Sequence, residues 1–355
     1  MSAIPKRLLH ADIIRAIATV SVVLLHASVL YIDRWQQVPL SWWWLGNIAH
    51  SLSRCAVPLF ILLSGSLLLN SSKIESLATF WRKRLTKLLI PFGLWSIVYL
   101  AVAPSPEAAT QSWLSRLMSL MRQPAYGHLW FLYMILGLYL VTPILRVLVR
   151  HADRSLLRYY IALWFMFCQA IPFIQTLFKL PSFYLINFFN INGFIGLFVL
   201  GYYLETTKLT PKQRRSAGWI ALISWLTIAI ATAFIQNPTT GKPFDLVYEV
   251  NSPLSLGLAA GLFIWIKGLP HAELSYHYAR TYRAIRQISG ASFTIYLAHM
   301  IPVYILQTKQ WPIWIDTLTM HPLWLIPVLS MGNLLACLGL HQLLRRLPGG
   351  DWIAP

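Results

Sequence analysis

Apolar runs, most of them long enough to cross a bilayer, follow one another along this chain with short basic clusters between them. A hydrocarbon core about 30 Å thick takes roughly 20 helical residues to cross. Inside it, backbone amides find partners only within a helix or a closed barrel. The runs read as ten helical spans at about 12–31, 48–69, 88–103, 128–148, 156–176, 187–205, 217–235, 248–267, 290–307 and 323–343. Composition agrees, with 57% hydrophobic and 11% charged residues. That is about half the charged fraction of a soluble domain, too little to cover a water-facing surface. The expectation is an all-α polytopic membrane protein of about ten transmembrane helices. With no internal repeat or low-complexity stretch, residues 1–355 read as one membrane-embedded domain.

A net charge of +18 would suit nucleic acid, but the positions of the charges decide otherwise. If both termini are cytoplasmic, 21 of the 29 Lys and Arg residues fall in inner segments and six in outer ones. The other two, Arg15 and Arg54, lie within spans. This is the positive-inside bias, and it points to membrane lipids as partners rather than nucleic acid. The inner clusters include Lys6 with Arg7, then Lys73, Arg82, Lys83, Arg84 and Lys87, and further on Arg280, Arg283 and Arg286. Trp35, Trp42, Trp43 and Trp44 read as an interface belt in the first outer loop. Pro104 and Pro106 open a second outer loop, where residues 110–122 suit an amphipathic surface helix. A third outer loop runs from Asn237 to Asp245. Cys55, Cys168 and Cys337 have no metal or redox spacing and read as packing residues. The first span is full length with no small-residue processing site after it, so it is expected to be retained.

Charged groups within spans are costly and mark functional sites by default. In the first span, Asp12 and Arg15 are three residues apart and can pair. Arg15 and His26, eleven residues apart, share one face. With span two starting at residue 48, Arg54 falls ~9 Å from the outer edge, the depth of His26 on span one. Ser64 and Gly65 fall near the level of Arg15. A histidine beside an arginine is held neutral and can act as a general base. The arginine can equally bind an anionic group or an oxyanion. Plainer readings stand beside these: a snorkelling Arg15 or Arg54, a Ser64–Gly65 pair serving close helix packing, and hydrogen-bonded core histidines at His128 and His299. Arg82, Lys83 and Arg84 either set topology and touch anionic lipid or hold the phosphates of a cytosolic cofactor. Trp130 and Tyr133 beside His128 complete the candidate binding residues, which otherwise comprise Asp12, Ser64, the basic trio, His128 and His299. No glycine-rich nucleotide loop, HExxH, CxxC or Gly-x-Ser-x-Gly is present, and no metal is expected.

Several ordered stretches resemble the integral-membrane acyltransferase family 3, bacterial inner-membrane enzymes that acylate carbohydrates. They are Asp12 with Arg15-Ala16-Ile17-Ala18 and His26, then Arg54-x-x-Val57-Pro58-Leu59-Phe60-x-x-x-Ser64-Gly65, then Arg84-Leu85 leading to Pro91. His128-Leu129-Trp130-Phe131-Leu132 with Tyr139, Leu140 and Pro143, and Ser292 to His299, complete the set. Ala16 departs from the glycine common after the arginine, a difference of packing. The resemblance implies acetyl-CoA or another acyl-CoA as cytosolic donor and a hydroxyl of a cell-surface or lipid-linked glycan as acceptor. It implies an essential His26 with Arg15 and Arg54 assisting, in a multi-pass protein of the bacterial inner membrane, with a homo-oligomer compatible.

The competing class is a glycan exporter or flippase without acyl-transfer chemistry. Such a transporter should show pseudo-symmetric halves and paired broken helices. Neither is evident in the sequence, although Pro58 and Pro253 would permit local breaks.

Overall fold

A computed structural model describes residues 8–71, 75–103, 111–180, 193–235, 245–308, 316 and 319–354. The basic tail at Lys6 and Arg7, Lys73, the loop opened by Pro104 and Pro106, residues 187–192 of the expected sixth span and the loop at 237–244 lie outside them. The described secondary structure is helical throughout. The first helices are α1 (Leu9–Ile32), α2 (Leu40–Ser53), α3 (Ala56–Leu69), α4 (Leu77–Val102) and the short α5 (Trp113–Ser119). A 3-10 turn at Gly127–Leu129 leads into α6 (Trp130–His151). Next come α7 (Arg154–Phe165), continued through a π turn into α8 (Ile171–Phe178), then α9 (Gly193–Thr206) and α10 (Pro211–Phe234). After a 3-10 turn at Asp245–Tyr248 follow α11 (Pro253–Lys267), α12 (His271–His277), α13 (Ala279–Ala298), α14 (Met300–Gln307), α15 (Pro322–Leu344) and α16 (Gly350–Ile353).

Among the described residues, eight stretches are long and apolar enough to cross a membrane, nine if α13 and α14, bent by 44°, form one span. The expected sixth span survives among the described residues as α9, whose 14 residues fall short of a crossing. Large apolar side chains such as Leu140, Ile144, Ile223, Phe234 and Val328 stay exposed, the surface a lipid-facing protein presents. The chain is an all-α polytopic membrane protein.

Local sequence chemistry sets many of the helix ends. Thr210 and Gln213 form a capping box at the start of α10, with Pro211 in the first turn. Ser76, Asp153 and Ser252 cap α4, α7 and α11 with their side chains. The α13–α14 bend falls at His299, three residues before Pro302, whose ring crowds the carbonyl of Ala298. Asn333 Nδ2 donates to the His299 carbonyl at the bend, at 2.8 Å. The expected helix at 110–122 is α5, seven residues with no buried side chain.

The second span differs from expectation. It starts at Leu40 rather than 48, behind Pro39. Trp43 is buried in the core, edge-on to Trp35 at 4.6 Å and Trp44 at 5.8 Å, and so is not a belt residue. The helix also breaks at Arg54 and Cys55, one turn before Pro58, which has no N–H for the Arg54 carbonyl. Arg54 thus lies 14 residues beyond the start of the helix, ~21 Å along it, not six residues in. The three cysteines form no disulfide and are buried, as packing residues should be.

Two compact units emerge. The first comprises residues 1–71 with 148–290, the second 72–147 with 291–355. In the first, α1 packs on α2 and α3, α3 on α9 and α11, and α10 on α11. Small residues govern the α3–α9 contact. A β-carbon on Gly65 would lie 1.9 Å from the Phe198 carbonyl oxygen, and one on Gly201 2.0 Å from that of Leu62. The two backbones touch only because both positions are glycine. In the second unit, α16 packs on α4 and α15.

Candidate functional site

One face of α2 carries Asn47, His50, Ser51 and Arg54, spaced three and four residues apart, the spacing of one helix face. Asn47, His50 and Ser51 are buried, and Arg54 is half-buried at the helix end. Asn47 Nδ2 donates to the Ala229 carbonyl on α10 at 2.8 Å, and its Oδ1 accepts from Ser51 at 3.1 Å and from the Tyr248 hydroxyl. Tyr248 is thereby fixed with its ring under the Arg54 guanidinium, Cζ 4.4 Å from the ring centroid. The same ring meets His50 edge-on at 4.8 Å.

His50 is the hub. Arg54 Nη2 donates to its Nε2, while its Nδ1 lies 3.1 Å from Ser28 Oγ and 3.3 Å from the Leu25 carbonyl on α1. His26, half-buried and next to Leu25 in the chain, is close enough to interact electrostatically with His50. His50 thus touches Arg54 and feels the charge of His26. The residue of α2 that the structure places beside Leu25 and Ser28, the neighbours of His26 on α1, is His50. The spacing His50-x-x-x-Arg54 was the signal available for His50.

At the other end of α1, Asp12 and Arg15 form the expected ion pair, 3.7 Å apart. The hydroxyl that joins them is Ser289 on α13, donating to Asp12 Oδ1 at 2.7 Å and accepting from Arg15 Nη1 at 3.1 Å. Sequence reading placed Ser64 here. Ser64 is half-buried on α3, next to the Gly65 that meets α9. No local pattern marks Ser289, whose partner stands 277 residues away.

The second unit gathers His128 and His299, named separately from sequence, with their rings 5.0 Å apart and edge-on. Tyr99, Tyr126 and Tyr296 surround His128 at 5.0, 5.7 and 5.5 Å. Tyr304 stands 6.5 Å from Tyr126. His299 Nδ1 lies 2.7 Å from the Tyr296 carbonyl, an acceptor, so this nitrogen carries a proton. Tyr296 donates to the His128 carbonyl, and Tyr99 to that of Leu297 at 2.7 Å. Trp130 stacks edge-on against Phe131 at 6.2 Å, and Tyr133 donates to the Leu120 carbonyl at 2.7 Å.

The basic trio lies on the first turns of α4, also in the second unit. Arg82 and Lys83 are exposed and Arg84 is half-buried. Lys83 donates to Glu75 at 3.2 Å, and Arg146 stands 3.6 Å from the other Glu75 oxygen. The Lys83 hydrogen bond, with the charges of Lys83, Arg146 and Arg84, holds the Glu75 carboxyl below the usual carboxylate range. Glu75 thus offsets part of the positive charge. Among the described residues, no three His, Cys, Asp or Glu side chains converge as metal ligands would.

The chain is thus a helical membrane protein that holds histidine and arginine side chains between its helices. Within it, residues 9–342 match the family model described as an acyltransferase domain, acyltransferase family 3, and the chain belongs to that bacterial integral-membrane family. Searches of curated proteins and of solved structures found no match to it.

Proposed function

We propose that this chain is a membrane O-acetyltransferase that moves an acetyl group from cytosolic acetyl-CoA to a hydroxyl of a cell-surface or lipid-linked glycan at the bacterial inner membrane. The observation that carries the reading is the family match across residues 9–342. His26 is the general base. It takes the proton of the acceptor hydroxyl as the hydroxyl oxygen attacks the thioester carbonyl. The carbonyl oxygen gains negative charge, which the Arg54 guanidinium stabilises. Collapse of the tetrahedral species breaks the C–S bond, and the CoA thiolate leaves and is reprotonated. Asp12 and Arg15, with Ser64 on the neighbouring helix, assist from the other end of α1. Arg82, Lys83 and Arg84 hold phosphates of CoA. His128, His299, Trp130 and Tyr133 offer the acceptor aromatic faces and hydrogen-bond partners.

The test is CoA release from acetyl-CoA by the purified protein in liposomes, wild type beside His26→Ala. Loss of a general base costs about 10²–10⁴-fold, so release by wild type and near-background release by the variant are the expected pair. Equal release by both removes His26 from the chemistry. Silence from both, with no binding of CoA, would favour a carrier.

A further inference from the structure

The hydrogen bonds around His50 favour one placement of its protons. A guanidinium has donors only, so the contact from Arg54 Nη2 requires His50 Nε2 to be an unprotonated acceptor. A neutral ring then carries its proton on Nδ1, which faces Ser28 Oγ at 3.1 Å. Ser28 in turn donates to the Leu25 carbonyl at 3.0 Å, leaving its oxygen to accept from His50. The chain of donors runs in one direction, from Arg54 through His50 and Ser28, and every member has a partner. Both nitrogens of His50 are committed. Protonating Nε2 would break the Arg54 contact and set two buried cations side by side.

We infer that His50 is a positioning residue: neutral, with its proton on Nδ1, it fixes the Arg54 guanidinium in one orientation and takes no proton itself. Tyr248, held by Asn47, is the second wall of the clamp, supporting the guanidinium from its face. The clamp uses one edge of Arg54. Among the described residues its buried Nε–H has no acceptor, so donors remain for a ligand oxygen. Calling that ligand a substrate rests on the acyl-transfer reading; the protonation state of His50 does not.

The experiment has two arms on the full chain in liposomes. In the first, ¹⁵N-histidine is observed by magic-angle-spinning NMR, with His50→Gln removing the His50 signals and so assigning them. A neutral ring protonated on Nδ1 is expected, with an Nε2 signal that moves when Arg54 is changed to Gln. A charged ring, a proton on Nε2 or indifference to Arg54→Gln would overturn the proposal. The second arm reads CoA release. His50→Leu cannot accept from Arg54, and misplacing a substrate-facing group costs about 100-fold. His50→Gln, whose side-chain oxygen can accept, retains most of the activity. In the Arg54→Gln background His50→Leu should add nothing, because both changes remove one function. Losses that multiply, or a Gln variant as poor as Leu, would make His50 merely structural. If His50→Leu fails to reach the membrane, the spectrum of wild type against Arg54→Gln still decides. If wild type releases no CoA, the acyl-transfer reading falls while the first arm judges His50 on its own.

Discussion

Ser289 shows how one hydroxyl can hold two charged groups in an apolar setting. It donates to Asp12 and accepts from Arg15, so a single side chain serves both members of the α1 ion pair. Removing it in Ser289→Ala withdraws a donor from Asp12, which is 5% exposed at its side chain. Hydrogen bonds between membrane helices average about 0.6 kcal/mol, less than the 1–2 kcal/mol that model peptides suggest. The expected loss is of that size, seen as a lower thermal midpoint in mild detergent. Ser289→Thr, which keeps the hydroxyl, should recover most of it. A Ser289→Ala protein as stable as wild type would mean that water replaces the hydroxyl. His50 and Ser289 share a lesson about what a sequence displays. His50 was readable from its spacing to Arg54 on one helix face. Ser289 was not, because its partners come from a helix that only the tertiary fold brings alongside.

At the scale of elements, the order and type of the helices were legible, since apolar periodicity and length are local properties. The ends were less so. Span two was started at 48 because Trp42, Trp43 and Trp44 have the composition of an interface belt. Packing of Trp43 against Trp35 and Trp44 overrides that composition and carries the helix back to Leu40. Ser64 and Gly65 were read as either packing or chemistry, and for Gly65 the backbone contact of α3 with α9 settles it in favour of packing. A methyl group at Gly65 or Gly201 would meet a carbonyl oxygen near 2 Å, which backbone shifts alone can relieve. Gly65→Ala and Gly201→Ala should each cost about 1–3 kcal/mol, the usual penalty of overpacking. Gly137→Ala on α6 is the contrast, because its β-carbon would meet nothing within 4 Å. There the gain in helix propensity, about 0.5–1 kcal/mol, should leave the protein as stable as before or more so. Thermal unfolding of the three variants checks both signs, and equal behaviour of all three would remove the contact at α3–α9 from the stability of the fold.

For the whole molecule the distribution of charge makes the strongest statement, and it bears on chemistry as well as topology. With 21 Lys and Arg residues in the segments assigned inside and six outside, inverting the protein would reverse the positive-inside rule along its entire length. The same assignment puts Arg82, Lys83 and Arg84 on the cytosolic side, where a CoA thioester is met. The proposed orientation and the proposed donor binding therefore stand or fall together. Single cysteines test them, since Cys55, Cys168 and Cys337 are buried and should react slowly with a water-soluble reagent. Trp113 is 52% exposed on α5, and Arg82 and Arg283 are exposed on α4 and α13. A membrane-impermeant maleimide added to intact cells should label Trp113→Cys and leave Arg82→Cys and Arg283→Cys untouched until the membrane is permeabilised. Saturating CoA should then slow labelling of Arg82→Cys, itself one of the three proposed phosphate-binding positions, and not of Arg283→Cys. Labelling of Arg82→Cys from outside would reverse the topology and, with it, the side from which this protein draws its acyl group.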